Sequence, residues 1–143
     1  MSEDSVHWAD YYAVTVGRPA WQTVSRAIDL FRIEEEAAGL ANATGSSGRF
    51  AVDLGCGAGR DARQLLRAGW RVLAVDRETT ARDALLTATE PELKARLQIV
   101  IADLANVAIP PCDLVNASLS LPFLAPTAFH AAWRRIMAAL APG

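Results

Sequence analysis

The stretch AVDLGCGAGRDARQLL, residues 51–66, places three glycines at alternate positions between an apolar run and a helical pattern. The run that leads in, residues 49–54, has the apolar composition of a strand buried on both faces. The residues that follow repeat at helical spacing, at Ala62, Leu65, Leu66 and Gly69. Because glycine has no Cβ and tolerates a positive φ, such a turn lets a ligand lie against the main chain.

The rest of the chain continues this alternation of strands and helices. Further strands are predicted at residues 71–76, 97–104 and 113–121, and a helix at residues 80–89. A closing helix is indicated by one apolar stripe, made of Phe129, Ala132, Trp133, Ile136, Met137 and Leu140. Strands that alternate with helices favour parallel pairing and an α/β fold with helices on both faces of the sheet.

Residues 1–41 have a different character and predict an N-terminal helical segment. Trp21, Val24, Ile28 and Phe31 form one helical stripe there. The composition of residues 42–48 is that of a linker, and residues 49–143 form the core domain. Near the start, the aromatic residues Trp8, Tyr11 and Tyr12 fall at helical spacing. They either pack this helix on the domain or form a lid over its ligand.

Composition excludes several classes of protein. The 143 residues are 52% hydrophobic with a net charge of −2, so the chain can build a core but has no basic character for nucleic acid. No apolar run reaches the length of a membrane span, and no cluster of metal ligands stands out. Two cysteines, Cys56 and Cys112, predict reduced thiols in a cytoplasmic protein.

The spacing of the glycine motif narrows the class of ligand. The helix behind the loop points its free amides and positive dipole end at the loop, which suits a carboxylate or phosphate. The dinucleotide fingerprint needs glycine where Arg60 stands, and the phosphate-binding G-K-[ST] sequence is absent. An NAD(P)-dependent oxidoreductase domain is therefore a disfavoured alternative.

From about residue 49 onward the chain resembles the class I S-adenosylmethionine-dependent methyltransferases. Its sequence VDLGCGAGRDA, residues 52–62, closely resembles the first motif of that family. The resemblance implies a Rossmann-like three-layer sandwich with strand order 3-2-1-4, truncated before the fifth strand of the family. It also implies S-adenosylmethionine as cofactor and S-adenosylhomocysteine as product. The loop that would contact the methionine part of the cofactor comprises Asp53, Gly55, Cys56, Gly57, Ala58 and Gly59.

The resemblance assigns further cofactor contacts to the ends of the other strands. Asp76 would accept hydrogen bonds from the ribose hydroxyls, with Arg77 beside the adenine. Asp103 would bind the adenine amino group, together with the main-chain N–H of Leu104. After the fourth strand, the candidates near the methyl group are Asn116, Ala117 and Ser118.

The resemblance implies that the chain would transfer a methyl group to a small-molecule acceptor. The N/D-P-P-Y/F motif of some amino methyltransferases is missing, which argues against methylation of nucleic-acid bases. No catalytic residue is assigned, since His7 and His130 are best interpreted as surface histidines. A non-catalytic domain that binds S-adenosylmethionine or S-adenosylhomocysteine is the second alternative.

The predicted edge of the sheet suggests self-association. With strand order 3-2-1-4, the fourth strand lies at an edge and carries apolar residues with no lysine or proline to protect it. We therefore expect a homodimer, formed through that edge or through the adjacent face of the closing helix.

Overall fold

The computed structural model describes residues 7–40 and 48–140, so the predicted linker lies almost wholly outside the described residues. The helices are α1 (Trp8–Thr15), α2 (Gln22–Ala37), α3 (Arg60–Arg67), α4 (Thr79–Ala88) and α5 (Pro126–Ala139). The strands are β1 (Phe50–Leu54), β2 (Arg71–Asp76), β3 (Leu97–Ile101) and β4 (Leu114–Asn116). Two short 3₁₀ turns cover Pro91–Arg96 and Leu121–Phe123.

The four strands form one parallel sheet in the order β3-β2-β1-β4, which confirms the predicted topology. The register places Asp53 of β1 beside Ala74 of β2 and beside Asn116 of β4. Asp76, the last residue of β2, lies opposite Ile101, the last residue of β3. The carboxyl ends of all four strands therefore meet at one edge of the sheet, where parallel sheets of this kind bind ligands.

Alternate residues of the central strands enter two separate cores. On one face, Ala51 and Val72 pack with Leu65 and Leu66 of α3 and with Val24 of α2. On the other face, the strand residues Val52, Leu54, Leu73 and Val75 pack with Ile136 and Ala139 of α5. Burial on both faces explains why these strands are almost uninterrupted apolar runs. The predicted three-layer sandwich is thus confirmed.

The fourth strand is much shorter than predicted. Instead of running through residues 113–121, β4 ends at Asn116, and Leu119 adopts a positive φ of 59°. Ser120 donates its hydroxyl to the main-chain oxygen of Leu54 at 2.8 Å, so the chain turns across the end of β1. The apolar pattern of residues 113–121 did not reveal this turn, because Ser120 stabilises the turn through a bond to Leu54, which is far away in the sequence.

Part of the predicted sheet edge is already paired within the chain. Just before β4, Cys112 forms a parallel bridge with Leu140, and its N–H donates to the oxygen of Ala139 at 2.9 Å. Both Cys112 and Cys56 are free thiols, as expected. Leu140, the residue directly after α5, therefore pairs beside the start of β4.

Gly59 gives a direct test of how α3 packs on α4. Its φ is +82°, and a Cβ at this position would overlap Cδ1 of Leu85 in α4. We expect Gly59→Ala to lower the free energy of unfolding by about 2–4 kcal/mol, from overpacking and backbone strain together. Gly17→Ala is the matched control, since nothing lies within 4 Å of its would-be Cβ. Urea denaturation curves of equal midpoint for the two variants would contradict this packing.

Candidate functional site

A cavity of about 540 Å³ opens at the carboxyl edge of the sheet, a size typical of small-molecule sites. It brings together most of the residues selected from the sequence: Asp53, Gly55, Cys56, Gly57, Ala58, Gly59, Asp76, Arg77, Asp103, Leu104 and Ser118. The aromatic residues Trp8, Tyr11 and Tyr12 line the same cavity. Asn116 and Ala117, by contrast, are not among its lining residues.

The glycine loop is fixed to the neighbouring strand by main-chain bonds. The N–H groups of Gly55 and Cys56 both donate to the oxygen of Val75, at 2.8 and 3.0 Å. Gly57 has a φ of +54°, and its ideal Cβ would lie 3.2 Å from Cε1 of Tyr12. The absence of a side chain at Gly57 therefore lets α1 approach the loop closely.

Asp76 organises the same loop from the end of β2. Its Oδ2 accepts the N–H of Gly57 at 2.9 Å, and its Oδ1 accepts the N–H of Glu78 at 3.0 Å. The side chain is buried, yet it lines the cavity. Because a carboxylate has about four acceptor sites, Asp76 keeps capacity for hydroxyl donors of a ligand.

Asp53 lies at the centre of a buried polar network. Its Oδ1 accepts Nδ2 of Asn116 at 2.9 Å, and the same amide donates to Oδ2 of Asp61 at 3.0 Å. Among the described residues, Oδ2 of Asp53 has no hydrogen-bond partner. Burial, together with the nearby charges of Asp61 and Asp76, raises the pKa of Asp53 to about 7, against the opposing effects of the Asn116 bond and of the backbone N–H of Ala62.

The network continues into the segment that precedes the core domain. Oδ1 of Asp61 accepts the main-chain N–H of Trp21, at the start of α2, at 2.9 Å. The indole of Trp21 in turn lies against the guanidinium of Arg60, with Cζ 4.7 Å from the ring centroid. All three residues line the cavity.

Helix α1 closes one side of the cavity with aromatic rings. Trp8 stacks on Tyr12 with centroids 6.1 Å apart, and meets Phe123 edge to face at 5.9 Å. Tyr12 is buried against Ala58 and Ala81, and burial raises the pKa of its phenol. The predicted aromatic stripe therefore packs on the domain and faces the cavity at the same time.

Asp103 occupies a more open position than the other two acids. It is exposed, lines the cavity, and accepts the N–H of Ala105 at 2.9 Å through Oδ1, as a turn-forming aspartate does. His7 and His130 are exposed and do not line the cavity.

Sequence reasoning missed several lining residues. Trp21, Arg60, Asp61, Glu78, Ser120, Phe123 and Leu124 line the cavity but were not selected. Arg60 and Asp61 follow the glycine motif directly, and this adjacency was an available signal. Phe123 carried no such signal, because it reaches the cavity only through the unpredicted turn after β4.

The described part of the chain has neither a group of metal ligands nor a membrane-spanning helix. Across residues 7–40 and 48–140, no three His, Cys, Asp or Glu residues group in a way that would hold a metal ion. In the same ranges, no helix has both the length and the apolar character needed to cross a membrane.

The elevated pKa of Asp53 predicts an unusual dependence of stability on pH. The folded state holds this proton up to about pH 7, whereas the unfolded chain releases it near the ordinary value of 3.8. The folded protein therefore binds more protons between these values, and the free energy of unfolding falls as the pH rises from 4 to 7. The loss from this group reaches up to about 4 kcal/mol.

Asp53→Asn tests this dependence, since the amide does not titrate. Denaturant unfolding at several pH values between 4 and 8 should show a flatter profile for Asp53→Asn than for the wild type. Asp103→Asn, at an exposed site, should keep the wild-type slope. Parallel profiles for the wild type and Asp53→Asn would show that the carboxyl is ionised throughout this range.

The sequence and the overall fold are similar to those of known methyltransferases. A family model for a methyltransferase domain matches residues 51–143. A comparison with curated protein sequences found no match. Among solved structures, an S-adenosylmethionine-dependent methyltransferase from Mesorhizobium loti is 26% identical, with a TM-score of 0.60, and the match covers 77% of this chain and 50% of that one.

Two more distant structures share the fold. The glycopeptide N-methyltransferase MtfA is 21% identical with a TM-score of 0.58, over 79% of this chain and 52% of that one. A TehB-like SAM-dependent methyltransferase from Corynebacterium glutamicum is 23% identical with a TM-score of 0.56, over 83% of this chain and 67% of that one. The chain thus spans about half the length of MtfA and about half that of the Mesorhizobium protein. Since the family model matches more than half of its residues, the chain belongs to the methyltransferase-domain family.

Proposed function

We propose that this chain binds S-adenosylmethionine in the cavity at the carboxyl edge of the sheet and transfers its methyl group to a small-molecule acceptor. The observation that carries the proposal is the fully buried carboxyl of Asp53, whose Oδ2 lacks a partner among the described residues. A buried polar atom left unsatisfied is costly, and a bound ligand that donates to it removes that cost.

The residues around the cavity suit this cofactor. Its lining includes the carboxylates of Asp53, Asp61, Asp76, Glu78 and Asp103, which favour a ligand with cationic groups. S-Adenosylmethionine carries a sulfonium and an ammonium. Asp76 is proposed to accept the ribose hydroxyls, and Asp103 with Leu104 to contact the adenine, with Arg77 beside it. The bare backbone of the glycine loop is proposed to lie against the methionine part.

The cofactor supplies an electrophilic methyl group when bound, so the protein's contribution is mainly to hold and enclose the reactants. The glycine loop and Asp76 are proposed to orient the cofactor. Helix α1 is proposed to act as a lid that excludes water through Trp8, Tyr11 and Tyr12. The proposal assigns no catalytic base. Asn116 is proposed to act from behind the site, through the carboxyl groups of Asp53 and Asp61.

Asp76→Ala tests the proposed cofactor site. Hydrogen bonds to a charged group contribute about 1.5–3 kcal/mol, so the dissociation constant for S-adenosylmethionine should rise about ten- to hundredfold. Isothermal titration measures this constant. Asp83→Ala, at an exposed position of α4, is the control for loss of one negative charge.

The outcomes of this titration separate the alternatives. Equal affinities of Asp76→Ala and Asp83→Ala would contradict the role of Asp76. Binding of NAD but not of S-adenosylmethionine by the wild type would favour an oxidoreductase domain. Tight binding without methyl transfer to any acceptor in a screen would favour a non-catalytic binding domain.

We further propose that the chain is a cytoplasmic homodimer, with the face of α5 as the contact. Trp133 and Met137 on that helix are 47% and 54% exposed. The edge of β4 is the weaker candidate, because Leu140 already pairs beside it. Light scattering should report twice the monomer mass at high micromolar concentration, and Trp133→Glu should restore the monomer. A wild-type chain that stays monomeric throughout the concentration range would contradict the proposal.

A further inference from the structure

Arg60 is a charged side chain for which the described structure gives no hydrogen-bond or ion-pair partner. It lines the cavity and is half-buried. Its guanidinium stacks on the indole of Trp21, and among the described residues it makes no hydrogen bond or ion pair. The other arginine that lines the cavity, Arg77, pairs with Glu78 at 3.5 Å and points a largely exposed side chain to the surface.

The position of Arg60 is held from several directions. It is the first residue of α3, directly behind the glycine loop. The backbone of Trp21, whose ring contacts Arg60, is fixed in turn, because its main-chain N–H donates to Asp61, whose other oxygen accepts from Asn116. The indole contacts the guanidinium through its ring face and accepts no conventional hydrogen bond from it, so the N–H groups of Arg60 stay free for a planar acceptor such as a carboxylate.

The charges of the cavity limit what Arg60 can bind. Five carboxylates and two guanidinium groups line it, so an anionic part of a ligand is repelled everywhere except near an arginine. The first amides of α3 add a favourable dipole at the same place. A cationic group in the same cavity favours the ionised form of Asp53, whose unpartnered oxygen is then the complementary acceptor.

We infer that Arg60 binds the α-carboxylate of the cofactor's methionine part, and that Trp21 is a positioning residue that holds the guanidinium for it. This inference rests on the proposed function. It assigns a role to the residue that separates this motif from the dinucleotide fingerprint, and it explains why the segment before the core domain contributes a tryptophan to the cavity.

The test compares two ligands that differ in one group. S-Adenosyl-3-thiopropylamine lacks only the carboxylate of S-adenosylhomocysteine, so a cycle of two ligands and two proteins isolates the contact between Arg60 and the carboxylate. For Arg60→Gln, the dissociation constant of S-adenosylhomocysteine should rise about ten- to hundredfold. The dissociation constant of S-adenosyl-3-thiopropylamine should change less than about twofold. Arg82→Gln, on the exposed side of α4, loses the same charge outside the cavity and should bind both ligands like the wild type.

Trp21 is tested with the same pair of ligands. Trp21→Ala should weaken S-adenosylhomocysteine selectively, whereas Trp21→Phe, which keeps a ring for stacking, should restore most of the affinity. If Trp21 had a merely structural role, Trp21→Ala would lower the affinity for both ligands equally. Circular dichroism verifies that each variant is folded, and Arg60→Lys provides a milder variant that keeps the charge but loses the planar fork.

Two results would overturn the assignment of Arg60. Equal loss of both ligands in Arg60→Gln, or no loss relative to Arg82→Gln, would place the carboxylate elsewhere while leaving the proposed function intact. Failure of the wild type to bind S-adenosylmethionine or S-adenosylhomocysteine would overturn the proposed function, and this assignment with it.

Discussion

The amide of Asn116 bridges two carboxyl groups at the end of the central strand, and the arrangement of the cavity depends on that bridge. Asp53 and Asp61 are both buried there, and carboxylates so close repel each other unless a donor lies between them. The single Nδ2 group supplies that donor from β4. Its own oxygen accepts the hydroxyl of Ser118 at 3.1 Å, which fixes the orientation of the amide. Strand β4, strand β1 and helix α3 are therefore joined by one side chain.

From Asp61 the same network reaches the N-terminal segment. The bond to the N–H of Trp21 fixes the entry to α2, and Arg63, two residues further along α3, donates to the main-chain oxygen of Val16 after α1. Tyr12 of α1 packs against the glycine loop. The segment that precedes the core domain is thus part of the cavity wall, so a change in either region alters the shape of the cavity.

Such a site has an energetic cost in the folded chain. The network leaves one oxygen of Asp53 without a partner among the described residues and favours its protonated form. A chain selected for stability alone would place an apolar side chain at this buried strand position. An uncompensated polar group beside a glycine loop is instead typical of a binding site, where the ligand completes the hydrogen bonding.

The sequence by itself determined the α/β class, the parallel pairing and the placement of the glycine loop, because these follow from local periodicity and from the conformational freedom of glycine. The resemblance of its motifs to the methyltransferases also selected Asp53, Asp76 and Asp103, each of which lies at the end of an apolar run. Only the tertiary structure decided the length of β4, which ends where Ser120 bonds to Leu54, a residue 66 positions away. The same holds for Asn116, which faces two buried acids, and for Trp21, which meets Arg60 across the interface between α2 and α3. These contacts join residues that are far apart in the chain, and no local pattern encodes which of them will meet.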